Sequence, residues 1–127
     1  MQNAAQADGP LVLIAEDDRD LRDLFDNLLA DEGYRVLTVA NGAAALALVE
    51  YERPALILLD INLPLLSGGD FCRVYRDRGR AAPLILVTEA SPNEVAAVMA
   101  ACEATAYILK PFDVEVVLAT VARLVAP

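Results

Sequence analysis

The stretch Ala55-Leu56-Ile57-Leu58-Leu59-Asp60 decides how the rest of this 127-residue chain is arranged. Its apolar side chains occupy both faces of an extended segment, which is typical of a strand buried on both sides of a parallel sheet, although a buried helix segment stays open as an alternative. Asp60 ends the run, and Pro64 keeps the following loop out of regular structure. Taken alone, Asp60 is best explained as a residue that turns the chain. Open α/β sheets bind ligands beside the carboxyl ends of such strands, so the position also suits a functional carboxylate.

Composition and charge limit the classes of protein to which the chain can belong. A chain of 127 residues forms one domain with a core of its own. Although 57% of the residues are hydrophobic, no apolar run reaches the roughly 18 residues that a membrane span requires. The net charge is −9, with no histidine and no basic cluster, which argues against direct binding of nucleic acid. The excess of carboxylates suits a hard cation instead.

The chain ends and the two cysteines set the expected boundaries and compartment. Residues 1–10 lack an apolar signal core, so we expect a disordered leader there and a domain spanning residues 11–127. Cys72 and Cys102 lie in helix-like segments without the spacing of metal ligands. We interpret both as buried apolar side chains in a reducing cytoplasm, and we do not expect a disulfide.

Hydrophobic periodicity and turn residues divide the chain into five strands that alternate with five helices. The predicted strands cover residues 11–15, 34–40, 55–60, 84–88 and 106–109. The predicted helices lie between residues 21 and 33, from 41–42 to 52, from about 69 to 78, from an N-cap at 91 through 102, and from 114 to 125. This alternation predicts an α/β fold with a doubly wound parallel sheet, helices on both faces and strand order 2-1-3-4-5.

Polar residues lie at the carboxyl ends of four of the five predicted strands. Glu16 and Asp17 end the first strand, Asp60 the third, Thr88 the fourth and Lys110 the fifth, and a parallel sheet brings all these ends to one edge. Two like charges 4 Å apart repel by roughly 4 kcal/mol at an effective dielectric constant near 20, so three neighbouring carboxylates require a cation. A set of oxygen ligands without His or Cys favours Mg²⁺.

The remaining residues of this group suit a phosphoryl group. Lys110 offers a mobile positive charge and Thr88 a hydroxyl donor, and an aspartate such as Asp60 can itself be phosphorylated. Individually, Thr88 could cap a turn and Lys110 could be a solvated strand end. Four coincident strand ends favour the functional interpretation.

The chain resembles the receiver domains of bacterial two-component response regulators, including chemotaxis regulators, over residues 11–125. The segments that carry the resemblance are Leu13-Ile14-Ala15-Glu16-Asp17-Asp18, Leu58-Leu59-Asp60-Ile61-Asn62-Leu63-Pro64, Gly68, Val87-Thr88 and Lys110-Pro111-Phe112. The resemblance implies a flavodoxin-like (βα)5 fold. It also implies that the chain is a phosphoprotein of a phosphorelay, active in the cytoplasm.

The resemblance assigns a role to each residue of the group. Asp60 would accept a phosphoryl group from the phosphohistidine of a sensor histidine kinase or a histidine phosphotransfer protein. Asp17 and Asp60 would bind Mg²⁺ through their side chains, Asn62 through its backbone carbonyl, and Glu16 mostly through water. Asp18 is interpreted as a solvated charge at the start of a helix. The only reactions expected are self-phosphorylation from a donor and autodephosphorylation.

A conformational switch is also implied by the resemblance. Thr88 and Lys110 would hold the phosphoryl oxygens, with the Lys110–Pro111 peptide bond in the cis form. Tyr107 matches the aromatic residue that turns inward when Thr88 moves toward the phosphate. The expected output surface is the fourth helix, fifth strand and fifth helix, where a homodimer or an output partner would bind. The alternative for Tyr107 is an amphipathic tyrosine that is simply half exposed. The alternative for the output surface is an ordinary buried helix rich in small residues.

Two residues depart from the family pattern. Glu89 follows Thr88 where a small residue is usual, and its charge is expected to slow phosphorylation by small anionic donors. Glu103 stands where glycine commonly ends the fourth helix, and a non-glycine residue in that left-handed conformation costs about 1 kcal/mol or more. We expect that helix end to be rearranged or loose, unless Glu103 tolerates the left-handed cap.

Two other functions remain open at the level of sequence. A pseudo-receiver would be an interaction module that never takes a phosphoryl group; the complete set of polar residues argues against it, whereas Glu89 leaves it open. A haloacid-dehalogenase-type phosphatase would need a second acid two residues after Asp60, where this chain has Asn62. The sequence contains no glycine-rich phosphate loop, so nucleotide binding has no support.

Overall fold

The computed structural model describes residues 9–125, and most of the predicted leader therefore lies outside the described residues. The strands are β1 (Leu11–Ala15), β2 (Arg35–Val39), β3 (Leu56–Leu59), β4 (Leu84–Thr88) and β5 (Ala106–Leu109). The helices are α1 (Arg19–Asp31), α2 (Gly42–Leu48), α3 (Gly68–Asp77), α4 (Pro92–Cys102) and α5 (Val114–Val125). The predicted alternation is confirmed. None of these helices is long and apolar enough to cross a membrane.

The five strands form one parallel sheet in the predicted order β2-β1-β3-β4-β5. Alternate residues of each central strand enter different core clusters, because successive side chains of a strand point to opposite faces. In β3, Ile57 and Leu59 pack with α2, α3 and α4, whereas Leu56 and Leu58 pack with α1 and α5. Both faces of β1, β3 and β4 are therefore buried, and this explains their continuous apolar sequences.

Side-chain caps fix the starts of four helices near the carboxyl edge of the sheet, among them α2, where Asn41 accepts from the Ala44 amide. Asp18 accepts hydrogen bonds from the amides of Asp20 and Leu21 at the start of α1. Ser67 caps α3, and Ser91 caps α4 as the sequence predicted. The prediction that α2 extends to residue 52 is wrong, since α2 ends at Leu48. The next residues form tight turns instead, with Glu50 and Tyr51 each donating to the carbonyl three residues earlier.

The prediction that the two cysteines are separate thiols is wrong. Cys72 of α3 and Cys102 of α4 are joined in a disulfide, with their Cα atoms 5.4 Å apart and both side chains fully buried. The two residues are 30 positions apart in the chain, and the packing of α3 against α4 brings them together. The hydrophobic periodicity of a single helix does not predict which helix packs against it. The two cysteines therefore do not indicate a reducing compartment.

Glu103 tolerates the left-handed cap of α4. Its φ is 54° and its ψ is 44°, and the amide of Ala104 donates to the carbonyl of Met99 across the helix end. The Arg76 side chain of α3 donates to the carbonyls of Cys102, at 2.8 Å, and of Glu103, at 3.2 Å. These charge-assisted bonds hold the helix end in place, so the expected rearrangement does not occur.

Gly68 allows the loop after β3 to pass close to the start of α3. The Gly68 amide donates to the Ile61 carbonyl at 2.8 Å. A Cβ atom at this position would lie 2.1 Å from the carbonyl oxygen of Asp60. Neither backbone segment can move away without shifting Asp60, so only glycine fits this position.

We predict that Gly68→Ala lowers the free energy of unfolding by about 1–3 kcal/mol, because the added methyl group overpacks the backbone of Asp60. Urea denaturation followed by circular dichroism measures the change. Gly69→Ala is the matched control in the same helical turn, since its Cβ would meet nothing closer than a Val98 methyl at 3.8 Å. A similar loss in both variants would contradict the assignment.

Candidate functional site

Three carboxylates meet at the carboxyl edge of the sheet, where the sequence predicted them. Glu16 and Asp17 follow β1, Asp60 follows β3, and one carboxylate oxygen from each lies within 4.8 Å of the others. Glu16 and Asp60 are buried, whereas Asp17 is exposed. The cluster is therefore closed on the side of the sheet and open to solvent on the side of Asp17.

The sheet continues its hydrogen bonding beyond the strand ends and so positions the two buried acids. The Glu16 amide donates to the Val39 carbonyl of β2, and the Asp60 amide donates to the Ala15 carbonyl of β1, both at 3.1 Å. In the register of the sheet, Ala15 lies opposite Leu59. The residues that follow these two, Glu16 and Asp60, are therefore adjacent.

Lys110 provides the cation for this buried pair. Its Nζ lies 3.0 Å from Oε1 of Glu16 and 2.8 Å from Oδ2 of Asp60. Burial by itself lowers the pKa of Lys110, but hydrogen bonds and charges from Asp60 and Glu16 outweigh it and raise the pKa above its ordinary value. The ammonium group therefore stays charged, and it partly neutralises the two acids.

Each buried carboxylate uses its second oxygen to accept from a backbone amide two residues ahead. Glu16 Oε2 accepts from the Asp18 amide at 3.1 Å, and Asp60 Oδ1 accepts from the Asn62 amide at 3.0 Å. Burial raises the pKa of Glu16 above its usual value, and the Asp60 charge adds to this, although the Asp18 amide and Lys110 oppose it. The site thus holds Glu16 in a fixed orientation but solvates its charge incompletely, which favours an additional cation.

Thr88 and Tyr107 lie on the neighbouring strands β4 and β5, where Tyr107 is opposite Leu86, two residues before Thr88. Thr88 is fully buried; its hydroxyl accepts from the Ala90 amide at 3.1 Å, and its carbonyl accepts from the Lys110 amide at 2.9 Å. Tyr107 is 52% exposed on the edge strand β5 and borders a cavity of about 180 Å³ between β5 and α4. The Lys110–Pro111 peptide bond is cis, as the resemblance implied.

Arg22 is a site residue that the sequence analysis missed. Its guanidinium Nη1 donates to the carbonyl of Glu16 at 2.9 Å and to that of Asp17 at 3.3 Å. The residue lies in the first turns of α1, and in the sequence it looks like one of several charges on the outer face of that helix. Only the return of its side chain to the preceding loop distinguishes it.

The donor set fits a magnesium ion. Three carboxylates supply oxygen ligands, two of them already oriented by hydrogen bonds, and the exposed side leaves room for water or phosphate oxygens. The carbonyl of Asn62, which lies in the exposed turn after Asp60, stays a predicted fourth ligand. Asp18 caps α1 and is exposed, in agreement with its interpretation as a charge at the start of a helix.

Sequence comparison relates the chain to two-component regulators. Residues 12–122 match the model of the response regulator receiver domain family. The transcriptional regulatory protein YxdJ of Bacillus subtilis is 37% identical over 87% of this chain and 48% of its own length. The DNA-binding response regulator MtrA of Mycobacterium tuberculosis is 35% identical over 80% of this chain and 44% of its own length. The chain thus spans about half the length of the curated relatives it matches.

Solved structures share the same fold. A CheY-like response regulator receiver domain protein of Methanospirillum hungatei superposes with a TM-score of 0.87 at 28% identity, over 92% of this chain and 94% of that chain. The receiver domain of the sensor histidine kinase PA1611 from Pseudomonas aeruginosa superposes with a TM-score of 0.84 at 28% identity, over 92% and 98%. That structure contains a magnesium ion coordinated in the active site cleft.

We predict that Lys110→Met lowers the free energy of unfolding by about 3 kcal/mol in buffer without added Mg²⁺, because two buried carboxylates lose their cation. Thermal and urea denaturation measure the loss. Arg78→Met is the control, since it removes the cation of an exposed ion pair with Glu50 and is expected to cost less than about 1 kcal/mol. Equal losses in the two variants would show that Lys110 is not holding the buried pair.

Proposed function

Since the chain belongs to the response regulator receiver domains of two-component systems, we propose that it is a phosphorylation-dependent switch in which Asp60 accepts the phosphoryl group. One observation carries this proposal: Asp60 lies at a sheet edge beside two further carboxylates and 2.8 Å from the Lys110 ammonium group. An acyl phosphate formed there would have a cation on one side and metal ligands on the other. This is the set of groups that phosphoryl transfer to a carboxylate requires.

The proposed donor is the phosphohistidine of a sensor histidine kinase or a histidine phosphotransfer protein. An Asp60 carboxylate oxygen attacks phosphorus, the phosphorus–nitrogen bond breaks, and the leaving imidazole keeps the electron pair and takes up a proton. Lys110 and Thr88 would then contact the phosphoryl oxygens. Water attack on the acyl phosphate reverses the modification, so autodephosphorylation is the only hydrolysis expected.

Asp17 and Asp60 are the proposed magnesium ligands, with Glu16 acting through water and Asn62 through its carbonyl. Bound Mg²⁺ would neutralise charge on the phosphoryl oxygens, which supports transfer to a site already rich in carboxylates. The orientation of Glu16 and Asp60 by backbone amides supports this assignment, because the ligands need little reorganisation.

A movement of Thr88 is the proposed start of the switch. The Thr88 hydroxyl accepts from the Ala90 amide, and turning toward a phosphoryl oxygen would exchange that bond for a charge-assisted one. The β4–α4 loop would shift with it. Tyr107, which is half exposed beside the cavity between β5 and α4, would then turn inward. A population shift from 1:99 to 99:1 would require about 5.5 kcal/mol of differential stabilisation.

The surface formed by α4, β5 and α5 is the proposed output face, which would bind a second copy or an output partner. Large apolar side chains are exposed there: Tyr107 at 52%, Leu109 at 48% and Val116 at 48%. The exposed residues of α4 are mostly alanines. An apolar surface of this kind is suited to burial against a partner when the switch rearranges it.

The domain itself is not expected to bind nucleic acid, because its net charge is −9. One of its relatives is a DNA-binding response regulator about twice the length of this chain. DNA binding, where a longer protein carries it out, is therefore proposed for a part outside this domain. A cytoplasmic location is proposed from the kinship with response regulators.

Beryllofluoride, which mimics a phosphoryl group, tests the acceptor directly. We predict that with Mg²⁺ it shifts the amide NMR signals of Asp60, Thr88, Tyr107 and Lys110, and that Asp60→Asn abolishes these shifts. Asp18→Asn is the control, because it alters an exposed carboxylate of the same edge that serves as a helix cap. A protein that responds to neither Mg²⁺ nor beryllofluoride would instead be a pseudo-receiver.

Glu89 tests the access of donors to the site. It is exposed directly after Thr88. The interaction energy of two unit charges 4 Å apart in water is about 1 kcal/mol. We predict that Glu89→Ala accelerates phosphorylation by acetyl phosphate about fivefold, and that salt reduces the difference. Glu94→Ala, which removes an equal exposed charge from the first turn of α4, is the control. Equal rates in Glu89→Ala and the parent protein would defeat the hypothesis.

A further inference from the structure

Asp17 differs from the other two acids of the cluster in how it is held. Glu16 and Asp60 are buried and each bonds to Lys110 and to a backbone amide. Asp17 is exposed, so its carboxylate cannot be oriented by burial. The Arg22 guanidinium, however, binds the carbonyls of Glu16 and Asp17, which belong to the two peptide groups on either side of the Asp17 Cα.

We propose that Arg22 is a positioning residue for the cation site, which orients the Asp17 carboxylate by fixing the two peptide planes that flank it. Fixing both planes fixes the backbone torsions of Asp17 and therefore the direction of its Cα–Cβ bond. A charged guanidinium makes stronger hydrogen bonds to carbonyls than a neutral donor would. The inference rests on the proposed magnesium site, and it adds a residue that does not touch the ion.

A role in helix stability does not account for this contact. Asp18 already caps α1 by accepting from the amides of Asp20 and Leu21. A cation near a helix N-terminus opposes the helix dipole, so Arg22 is unfavourable there for the helix itself. The carbonyls that it binds precede the helix and lie in the loop that carries two of the three acids. The contact therefore serves the loop rather than the helix.

The charge of Arg22 and its hydrogen bonds have opposite effects on the affinity for Mg²⁺. The direction in which the affinity changes when Arg22 is replaced therefore tests the proposal. The guanidinium charge repels Mg²⁺, so the electrostatic effect of removing this group would be tighter Mg²⁺ binding. Its hydrogen bonds hold Asp17, so their removal would weaken binding. Loss of a group that orients a metal ligand typically costs 10–100-fold in affinity, which exceeds the electrostatic gain expected near solvent.

The test is a Mg²⁺ titration of the full chain and its variants by isothermal calorimetry and amide NMR, with unfolding free energies measured in parallel. Arg22→Met is expected to weaken Mg²⁺ binding about tenfold and to broaden the amide signals of Asp17 and Asp18. Arg22→Lys keeps the charge but not the planar donor geometry, and it is expected to weaken binding a few-fold. Arg19→Met, which removes an exposed charge that pairs loosely with Asp23 at 4.0 Å, is expected to leave binding unchanged or slightly tighter.

Two results would overturn the inference while leaving the proposed function intact: parent-like or tighter binding in Arg22→Met, and parent-like binding in Arg22→Lys. The second result decides the question even if Arg22→Met does not fold. An equal loss in Arg19→Met would also overturn it, because charge on α1 would then explain the effect. If the parent protein does not bind Mg²⁺, the proposed metal site fails and the inference fails with it.

Discussion

The ammonium group of Lys110 lies between two buried carboxylates, and the arrangement of the whole sheet edge depends on this contact. Glu16 follows β1 and Asp60 follows β3, whereas Lys110 follows β5, two strands away from β3 in the order of the sheet. Strands lie about 4.8 Å apart, so the side chains of Lys110 and Asp60 together have to bridge roughly 10 Å across the end of β4. Among cationic side chains, a long and flexible one is suited to that distance. Without it, two carboxylates would be buried with no cation, which costs several kcal/mol.

The same contact leaves the site short of positive charge. Three carboxylates meet one ammonium group, and the raised pKa of Glu16 shows that burial disfavours its charged form even beside Lys110. The backbone supplies further partial charges through the amides of Asp18 and Asn62. A fold that optimised stability alone would replace one of these acids. Their position at an edge that opens to solvent beside Asp17 suits a site that binds an additional cation and an anionic group together.

The helices at this edge place the loops rather than the acids themselves. Gly68 allows α3 to start against the backbone of Asp60, and Asp18 starts α1 directly after the acidic pair. On the far side of the domain, α4 is tied to α3 by the Cys72–Cys102 disulfide and by hydrogen bonds from Arg76. The carboxyl end of α4 is thus anchored, while its amino end adjoins the β4–α4 loop that follows Thr88. A movement of that loop would therefore displace the amino end of α4 more than its carboxyl end.

The sequence by itself determined the alternation of strands and helices and the residues at the sheet edge, because apolar runs of strand length end in Asp60, Glu16 and Lys110, and the order 2-1-3-4-5 that is common for five such units is the one the structure has. It did not determine where α2 ends, since Val49 and the turn after it are compatible with helix until the chain has to reach Pro54. Contacts between elements distant in the chain were decided only by the tertiary structure. The Cys72–Cys102 pair and the bond from Arg22 back to the acidic loop depend on how helices pack and on side-chain conformation, and hydrophobic periodicity records neither.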